Sequence, residues 1–252
     1  MMRMSRSMLQ PFVRMAYPFG RVRRVHRGIA RGLQFVVAPG IGVSYAWGSD
    51  EAAPRHFAAW IRRGMTVYDV GANKGQMALL FAALVGPAGR VVSLEPAPDE
   101  FAHLKRNVEL NHLNQVRAIQ AAASETVGDV TFTYSSDRPT QGKLQDVETT
   151  YANPDARTLR VAATTLDAVA LEEPAPDVIK IDVEGAAASV LRGARELLDR
   201  AHPRIYLELH GPEEQAGVRD ELLSRGYTLT TLAGEIVRDP VATWRTPLWC
   251  HA

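Results

Sequence analysis

Three observations predict an α/β architecture, a mostly parallel sheet with helices on both faces. From Met65 onward, short runs rich in Val, Ile and Tyr alternate with helical patterns, as strand–helix–strand units do. A glycine-bearing loop, "DVGANKG", leaves the first of these runs and enters a helix near Lys74, the arrangement used where backbone must approach a ligand. The chain has 252 residues, 46% of them hydrophobic, enough for one large core with an appendage.

The elements follow in order. Thr66 to Val70, Arg90 to Leu94, Val116 to Gln120, Asp177 to Asp182 and Pro203 to His210 are predicted strands, β-branched runs bounded by turn residues. "DEFAHLKRNVELN" is a helix whose Asp99 and Glu100 lie in the first turn, where acids suit the dipole. "GAAASVLRGARELLDR" is a second, with Ala187, Val190, Leu191, Ala194, Leu197 and Leu198 forming one apolar stripe. Period-two stretches around Val130 to Tyr134 and Leu159 to Ala163, joined by a polar segment, predict a β insertion with a loose loop. "GYTLTTLAGEIV" predicts a C-terminal antiparallel hairpin. Residues 1–47 are assigned to a basic extension, a possible substrate-side cap, and 48–252 to the catalytic domain.

Charge divides along the same line. Eight arginines and no acid lie up to Arg31, leaving 21 basic against 28 acidic residues, a net of −7, for the rest. Such a segment fits a transit peptide, a contact with an anionic surface such as lipid, or a solvated arm; truncation after Arg31 is expected to leave the activity of the remainder intact. The acidic remainder argues against a nucleic-acid partner. No run approaches the ~18 apolar residues of a membrane span, and Cys250 is the sole cysteine. A cytoplasmic protein, at most peripheral to a membrane, is expected.

The loop holds the first candidate site. Gly71 can take the tight turn and admit a ligand to the backbone, and Glu95 ends the next strand, where an acid accepts hydrogen bonds from ribose hydroxyls. Either feature alone reads equally as a glycine turn and a solvated acid; together they define an adenosine pocket. Gly71-Ala-Asn-Lys-Gly75 lacks the G-x-G-x-x-G pattern of dinucleotide sites. Asp69, just before the turn, would repel a pyrophosphate but hold a cationic amino acid moiety. The charge logic favours S-adenosylmethionine over a nicotinamide dinucleotide.

"GSDE", "DVGANKG", "SLEPAPDEFAHLKRN", "AAASETVGDVTF", "TTLD", "VIKIDVEGAAASVLRGARELL" and "PRIYLELHG" occur in the order found in FkbM-type methyltransferases, and the sequence resembles that family over roughly residues 48 to 210. The resemblance implies a class I, Rossmann-like methyltransferase fold using S-adenosylmethionine, usually on a hydroxyl of a sugar or natural product. It implies cofactor contacts by Asp69, Gly71, Asn73, Gly75, Glu95 and, on the adenine side, Ala122. One departure stands out: family members often carry Glu where this chain has Ala187.

The second candidate site lies on two strands. Buried parallel strands are ordinarily continuous apolar runs, yet "DVIKIDVEG" and "RIYLELHG" carry polar residues at period two: Lys180 and Asp182 on one face, Tyr206, Glu208 and His210 on the other strand's face. In this topology the strands are neighbours, and ligands bind beyond their C-terminal ends. A Lys180–Glu208 ion pair is expected beneath the pocket, since burying either alone is costly. His210 suits a general base, and Asp182 either orients it or is the base itself; a strand-end histidine bonding only backbone is the plain alternative. A magnesium site from Asp182, Glu208 and perhaps Asp167 is conceivable, but Lys180 opposes it and no obligatory metal is expected; Asp167 reads better as a helix-entry residue. Tyr45, Trp47 and Trp60, with Glu51 nearby, read as ordinary packing or as a saccharide platform.

The function expected is O-methylation of a small-molecule or glycan acceptor. The rivals are a nicotinamide oxidoreductase of the same topology and, given Ala187, a non-catalytic cofactor-binding scaffold.

Overall fold

The computed structural model describes residues 17–48, 52–135, 143–144, 156–210, 212–237 and 247–252; Glu51 and most of the polar segment in the β insertion lie outside them. The N-terminal unit pairs β1 (Val22–Arg24) antiparallel with β2 (Gln34–Val36) and continues into α1 (Val43–Ala46) and α2 (Ala52–Trp60). Val25, Ala30, Phe35, Val37, Ile41 and Ala46 share a buried cluster with Leu79 of the domain. Two asparagines fasten it: Asn107 Oδ1 accepts from Val36 N at 2.8 Å, and Asn111 Oδ1 from Gln34 N at 2.6 Å. From Val22 onward, then, the extension is part of the folded core. Truncation after Arg31 would strip β1 and two core residues from it, so the expectation of an unaffected product is revised.

The main sheet has seven strands. In chain order they are β3 (Thr66–Val70), β4 (Arg90–Leu94), β5 (Val116–Ile119), β10 (Val178–Asp182), β11 (Arg204–Glu208), β12 (Thr228–Thr231) and β13 (Leu248–His251), with spatial order β12-β13-β11-β10-β3-β4-β5. The first five are parallel. Helices α3 (Gln76–Val85) and α4 (Pro98–Leu110) connect β3, β4 and β5. The insertion forms its own four-stranded sheet: β6 (Ala122–Ala123), β7 (Gly128–Ser135), β8 (Lys143–Leu144) and β9 (Ala156–Thr164). Then come α5 (Leu166–Glu172), α6 (Ala187–Arg192), α7 (Arg195–Ala201) and α8 (Pro212–Leu223).

Two sequence expectations change. The single helix over 185–200 is broken at Gly193 and Ala194 into α6 and α7. A Cβ at Gly193 would lie 2.0 Å from the Ser124 carbonyl oxygen, so this glycine lets the chain pass close to the insertion sheet. The apolar stripe is real, but its repeat spans two helices packed on one surface. The C-terminal hairpin is reduced to a turn with one bridge, Thr230 to Ile236. The principal partner of β12 is β13, which enters antiparallel between it and β11 and which short polar flanks conceal in the sequence.

Apolar packing on both sheet faces sets the site's floor. Phe57, Phe81, Tyr206 and Trp249 form one aromatic cluster, and full burial of one such ring stabilises by ~2–3 kcal/mol. Trp60 packs against Trp249 at a 44° tilt with centroids 3.8 Å apart, Tyr45 meets Phe35 edge-on, and Trp47 stands exposed beside His26 and Arg27. None of these three lines the cavity described below; Tyr45 and Trp60 serve as packing, and Trp47 stands at the surface. No helix of the described residues is long and apolar enough to cross a membrane.

Candidate active site

A cleft of about 200 Å³ opens at the C-terminal ends of β3, β4 and β10. The loop after β3 forms one wall. Gly71 has φ +76°, and a Cβ there would lie 2.0 Å from the Asp182 carbonyl oxygen. The residue must be glycine because β10 passes against the turn. Gly71 N and Ala72 N both donate to Leu94 O, tying the loop to β4, and Asn73 follows with φ 48°. Gly75 also has positive φ, but a Cβ there would meet the Leu104 side chain at 2.7 Å. Its role is to let α3 and α4 pack, one step away from the cavity.

Glu95 faces the cleft with only 5% of its surface exposed. One carboxylate oxygen accepts from Asn73 N at 2.8 Å and the other from Ala97 N at 2.9 Å. Burial nevertheless outweighs these bonds and pushes its pKa up to about 7. Ala97, Ala121, Ala122, Ala123 and Phe132 make an apolar slot beside it.

The other end of the cleft is ionic. The parallel register sets Lys180 directly beside Asp69 on one neighbour and Tyr206 on the other, and Asp182 beside Glu208. Lys180, 3% exposed, places Nζ 3.3 Å from Asp69 Oδ1, 3.3 Å from Asp182 Oδ2, and 3.1 Å from Gly71 O, to which it donates. The expected Lys180–Glu208 pair is therefore not formed: Glu208 is displaced one register step and instead accepts from the Tyr206 hydroxyl at 2.9 Å. Burial pushes Lys180 toward neutrality, but the Asp182, Asp69 and Glu208 charges more than offset it and hold the ammonium. Asp69, with 0% exposure, has a raised pKa because burial outweighs Lys180.

His210 completes the cluster. Its Nε2 lies 2.9 Å from Asp182 Oδ1, and its Nδ1 lies 3.4 Å from Glu184 Oε2. Burial works against the imidazolium, yet the bond to Asp182 and the charge of Glu184 leave the His210 pKa above its ordinary value. Asp182 is half-buried, which would raise its pKa, but Lys180 and His210 hold it well below the usual carboxylate range. Glu208 moves the other way, raised by burial and by Asp182. Asp182, Glu208 and His210 have ligand atoms within 4.8 Å of one another, but both Asp182 oxygens are already engaged, one by Lys180 Nζ and the other by His210 Nε2.

Residues 69–229 match the methyltransferase FkbM domain. The chain belongs to the FkbM methyltransferase family. It is 31% identical over 202 residues to 31-O-demethyl-FK506 methyltransferase FkbM of Streptomyces tacrolimicus, covering 69% of this chain and 75% of that one. A shorter stretch of 79 residues is 38% identical to protein-L-isoaspartate O-methyltransferase of Methanothrix thermoacetophila, covering 31% of this chain and 34% of that one. The crystal structure of methyltransferase FkbM from Methylobacillus flagellatus shares the fold, with TM-score 0.52 at 17% identity over 79% of this chain and 50% of that one. This chain thus spans half or less of the last two proteins.

The family's methyl donor, S-adenosylmethionine, suits the cleft. Among the described residues three carboxylates, Glu95, Asp182 and Glu184, line it and no basic side chain does, a wall that welcomes a sulfonium and an ammonium and repels a pyrophosphate. Of the residues expected to contact cofactor, Gly71, Asn73, Glu95 and Ala122 line the cleft; Asp69 and Gly75 do not. Asp69 sits behind the loop and reaches the site through Lys180. On the acceptor side Asp182 lines the cleft, while Lys180, Glu208 and His210 adjoin it.

Gln76, Phe132 and Glu184 are among the lining residues that escaped sequence reasoning. Glu184 was detectable, since "DVEG" carries it two residues after Asp182, past the strand end where period-two logic stops applying. Asp167 accepts from Leu197 N at 2.8 Å and Glu196 N at 3.2 Å, so it caps α7, a different helix from its own. At Ala187, where the family often has Glu, the amide finds a carboxylate from elsewhere: Glu214 of α8 accepts from Ala187 N at 3.2 Å.

Proposed function

We propose that this FkbM-family methyltransferase transfers the methyl group of S-adenosylmethionine to a hydroxyl of a small-molecule acceptor, a sugar or another polyhydroxylated natural product. The observation that carries the reading is the 2.9 Å Asp182–His210 pair at the edge of the acid-lined cleft. Gly71, Asn73, Glu95 and Ala122 would hold the cofactor: Glu95 through ribose hydroxyls, Ala122 and Phe132 across the adenine, with Asp182 and Glu184 toward the cationic end. Asp69 would act behind them, through Lys180 and the loop. Bound S-adenosylmethionine supplies a methyl group made electrophilic by its cationic sulfur.

The chain's own residues manage the acceptor proton. With Nε2–H donated to Asp182, the neutral imidazole of His210 keeps an unprotonated Nδ1, beside Glu184, to take the proton as the oxygen becomes nucleophilic. Asp182 is the orienting partner and not the base, because Lys180 holds it ionised far below neutrality. Glu184 then faces the imidazolium so formed and stabilises it. Glu208, with its Tyr206 bond, adds negative charge to the same cluster. No step requires a metal, and full turnover in chelator is expected; activity lost in chelator and restored by magnesium would overturn that part.

The test is radiolabelled S-adenosylmethionine with a panel of sugar, polyketide and peptide acceptors. His210→Ala is expected to lower turnover by ~10²–10⁴-fold while calorimetry shows cofactor binding retained, and Asp182→Ala to lower turnover at least as much with some loss of cofactor affinity as well. Unchanged turnover in both variants would place the chemistry elsewhere. Tight nicotinamide binding with none for S-adenosylmethionine would revive the oxidoreductase.

The N-terminal unit supports a contact with an anionic surface: Arg21, Arg24, Arg27 and Arg31 are exposed and residues 17–48 contain no acid. Flotation with vesicles containing phosphatidylserine, against neutral vesicles, tests it; equal recovery from both would remove the idea.

A further inference from the structure

Glu214 is a carboxylate that the mechanism above does not use, and its position is unusual. It lies on α8, 3% exposed, where an ionised acid is expensive unless its oxygens are satisfied. Both are. Oε1 accepts from Ala187 N at 3.2 Å and Oε2 from His210 N at 3.0 Å. Ala187 is the first residue of α6, whose N-cap position, Ala186, offers no side-chain acceptor. His210 follows the end of β11. One carboxylate therefore joins the strand end that carries the imidazole to the helix that follows Glu184, the imidazole's second partner.

We infer that Glu214 is a positioning residue for the acceptor half of the site, clamping the His210 backbone to α6 so that its imidazole stands between Asp182 and Glu184. The inference rests on the reading of His210 as the proton acceptor. Two features separate this from an ordinary helix cap. A cap would need only the Ala187 amide, yet the second oxygen is spent on His210. And the charge of Glu214 is felt by the imidazole itself, where it adds to those of Asp182 and Glu184 in favouring the protonated ring. The groups facing His210 are then Asp182 from β10, Glu184 from the loop after it, Glu208 from β11 and Glu214 from α8.

The experiment is NMR on the full chain without acceptor. It follows the His210 ring through a pH titration and the exchange rates of the His210 and Ala187 amides, in the parent protein, in Glu214→Gln and in Glu214→Ala. In Glu214→Gln, which keeps the shape but not the charge, the His210 midpoint is expected to move to lower pH. In Glu214→Ala both amides are expected to exchange at least ~tenfold faster, as befits a lost charge-assisted bond of ~1.5 kcal/mol or more. A folded Glu214→Gln with an unmoved His210 titration, or a folded Glu214→Ala in which the Ala187 amide alone speeds up, would reduce Glu214 to a cap and overturn the inference. Should one variant fail to fold, the other decides. Failure of the functional reading is separate: His210→Ala retaining turnover would sink that reading without altering these titrations.

Discussion

The two ends of the cleft are built on different principles. The end proposed for the cofactor is made of backbone: Gly71 turns against a carbonyl of β10, loop amides bond Leu94 O, and Glu95 is held by two more amides. The end proposed for the acceptor is made of side chains: Lys180 between two aspartates, and His210 between two carboxylates. A backbone-built site tolerates few changes of residue but is indifferent to neighbouring charges, whereas an ionic one stands or falls as a network. Lys180 joins the two, since the same ammonium reaches Gly71 O and Asp182.

That junction gives the largest expected effect. Lys180→Met strands Asp69, with 0% exposure, as an uncompensated buried acid, and breaking such a pair from one side costs ~3–5 kcal/mol. Chemical denaturation should show the loss, and Asp69→Asn in the same chain should recover part of it. If Lys180→Met costs no more than an exposed substitution, the two ends are independent. Next is Gly71→Ala, which forces a Cβ against the Asp182 carbonyl at positive φ; a loss of ~1–3 kcal/mol is expected, together with weaker cofactor binding by calorimetry. A smaller effect, ~1 kcal/mol, is expected for Asn111→Ala, which removes the bonds to both Gln34 N and Gln34 O; thermal unfolding measures it.

The same division explains what the sequence made legible. Strands β3 and β4 are found to the residue, and β10 and β11 to within two residues, because their β-branched runs are sharply bounded. Gly71 and Glu95 are readable from spacing alone, as a backbone-built site requires glycine at one place and an acid at another. The pairing of Lys180 is not readable. Period two says which residues share a face, but which of two neighbouring strands receives the charge depends on register, and Asp69 lies one strand farther than the sequence draws attention to. Glu214 is invisible for a similar reason: α8 has only a weak amphipathic pattern, and a carboxylate within it looks solvated until the helix is packed. β13 was missed because a four-residue strand near the chain's end has no periodicity to detect.

The pH response separates the two ends most finely, through Glu95. Its carboxyl sits at about 7 because burial outweighs the bonds from Asn73 N and Ala97 N. Ribose hydroxyls are donors, and only the ionised form offers both oxygens as acceptors. Cofactor affinity should therefore be highest above neutrality and fall as pH drops through about 7, by at most ~tenfold per pH unit. Binding near neutrality should also release a proton, which calorimetry in buffers of different ionisation enthalpy detects. His210, raised from its ordinary value, disfavours a cationic cofactor when protonated, so it needs its own control. Glu95→Gln should bind more weakly at every pH with the dependence flattened, while His210→Ala should leave the dependence standing. The reverse pattern would move control of cofactor binding to the ionic end, because a backbone-held acid would then be a spectator to a charge change fixed by side chains on the far side of the cleft.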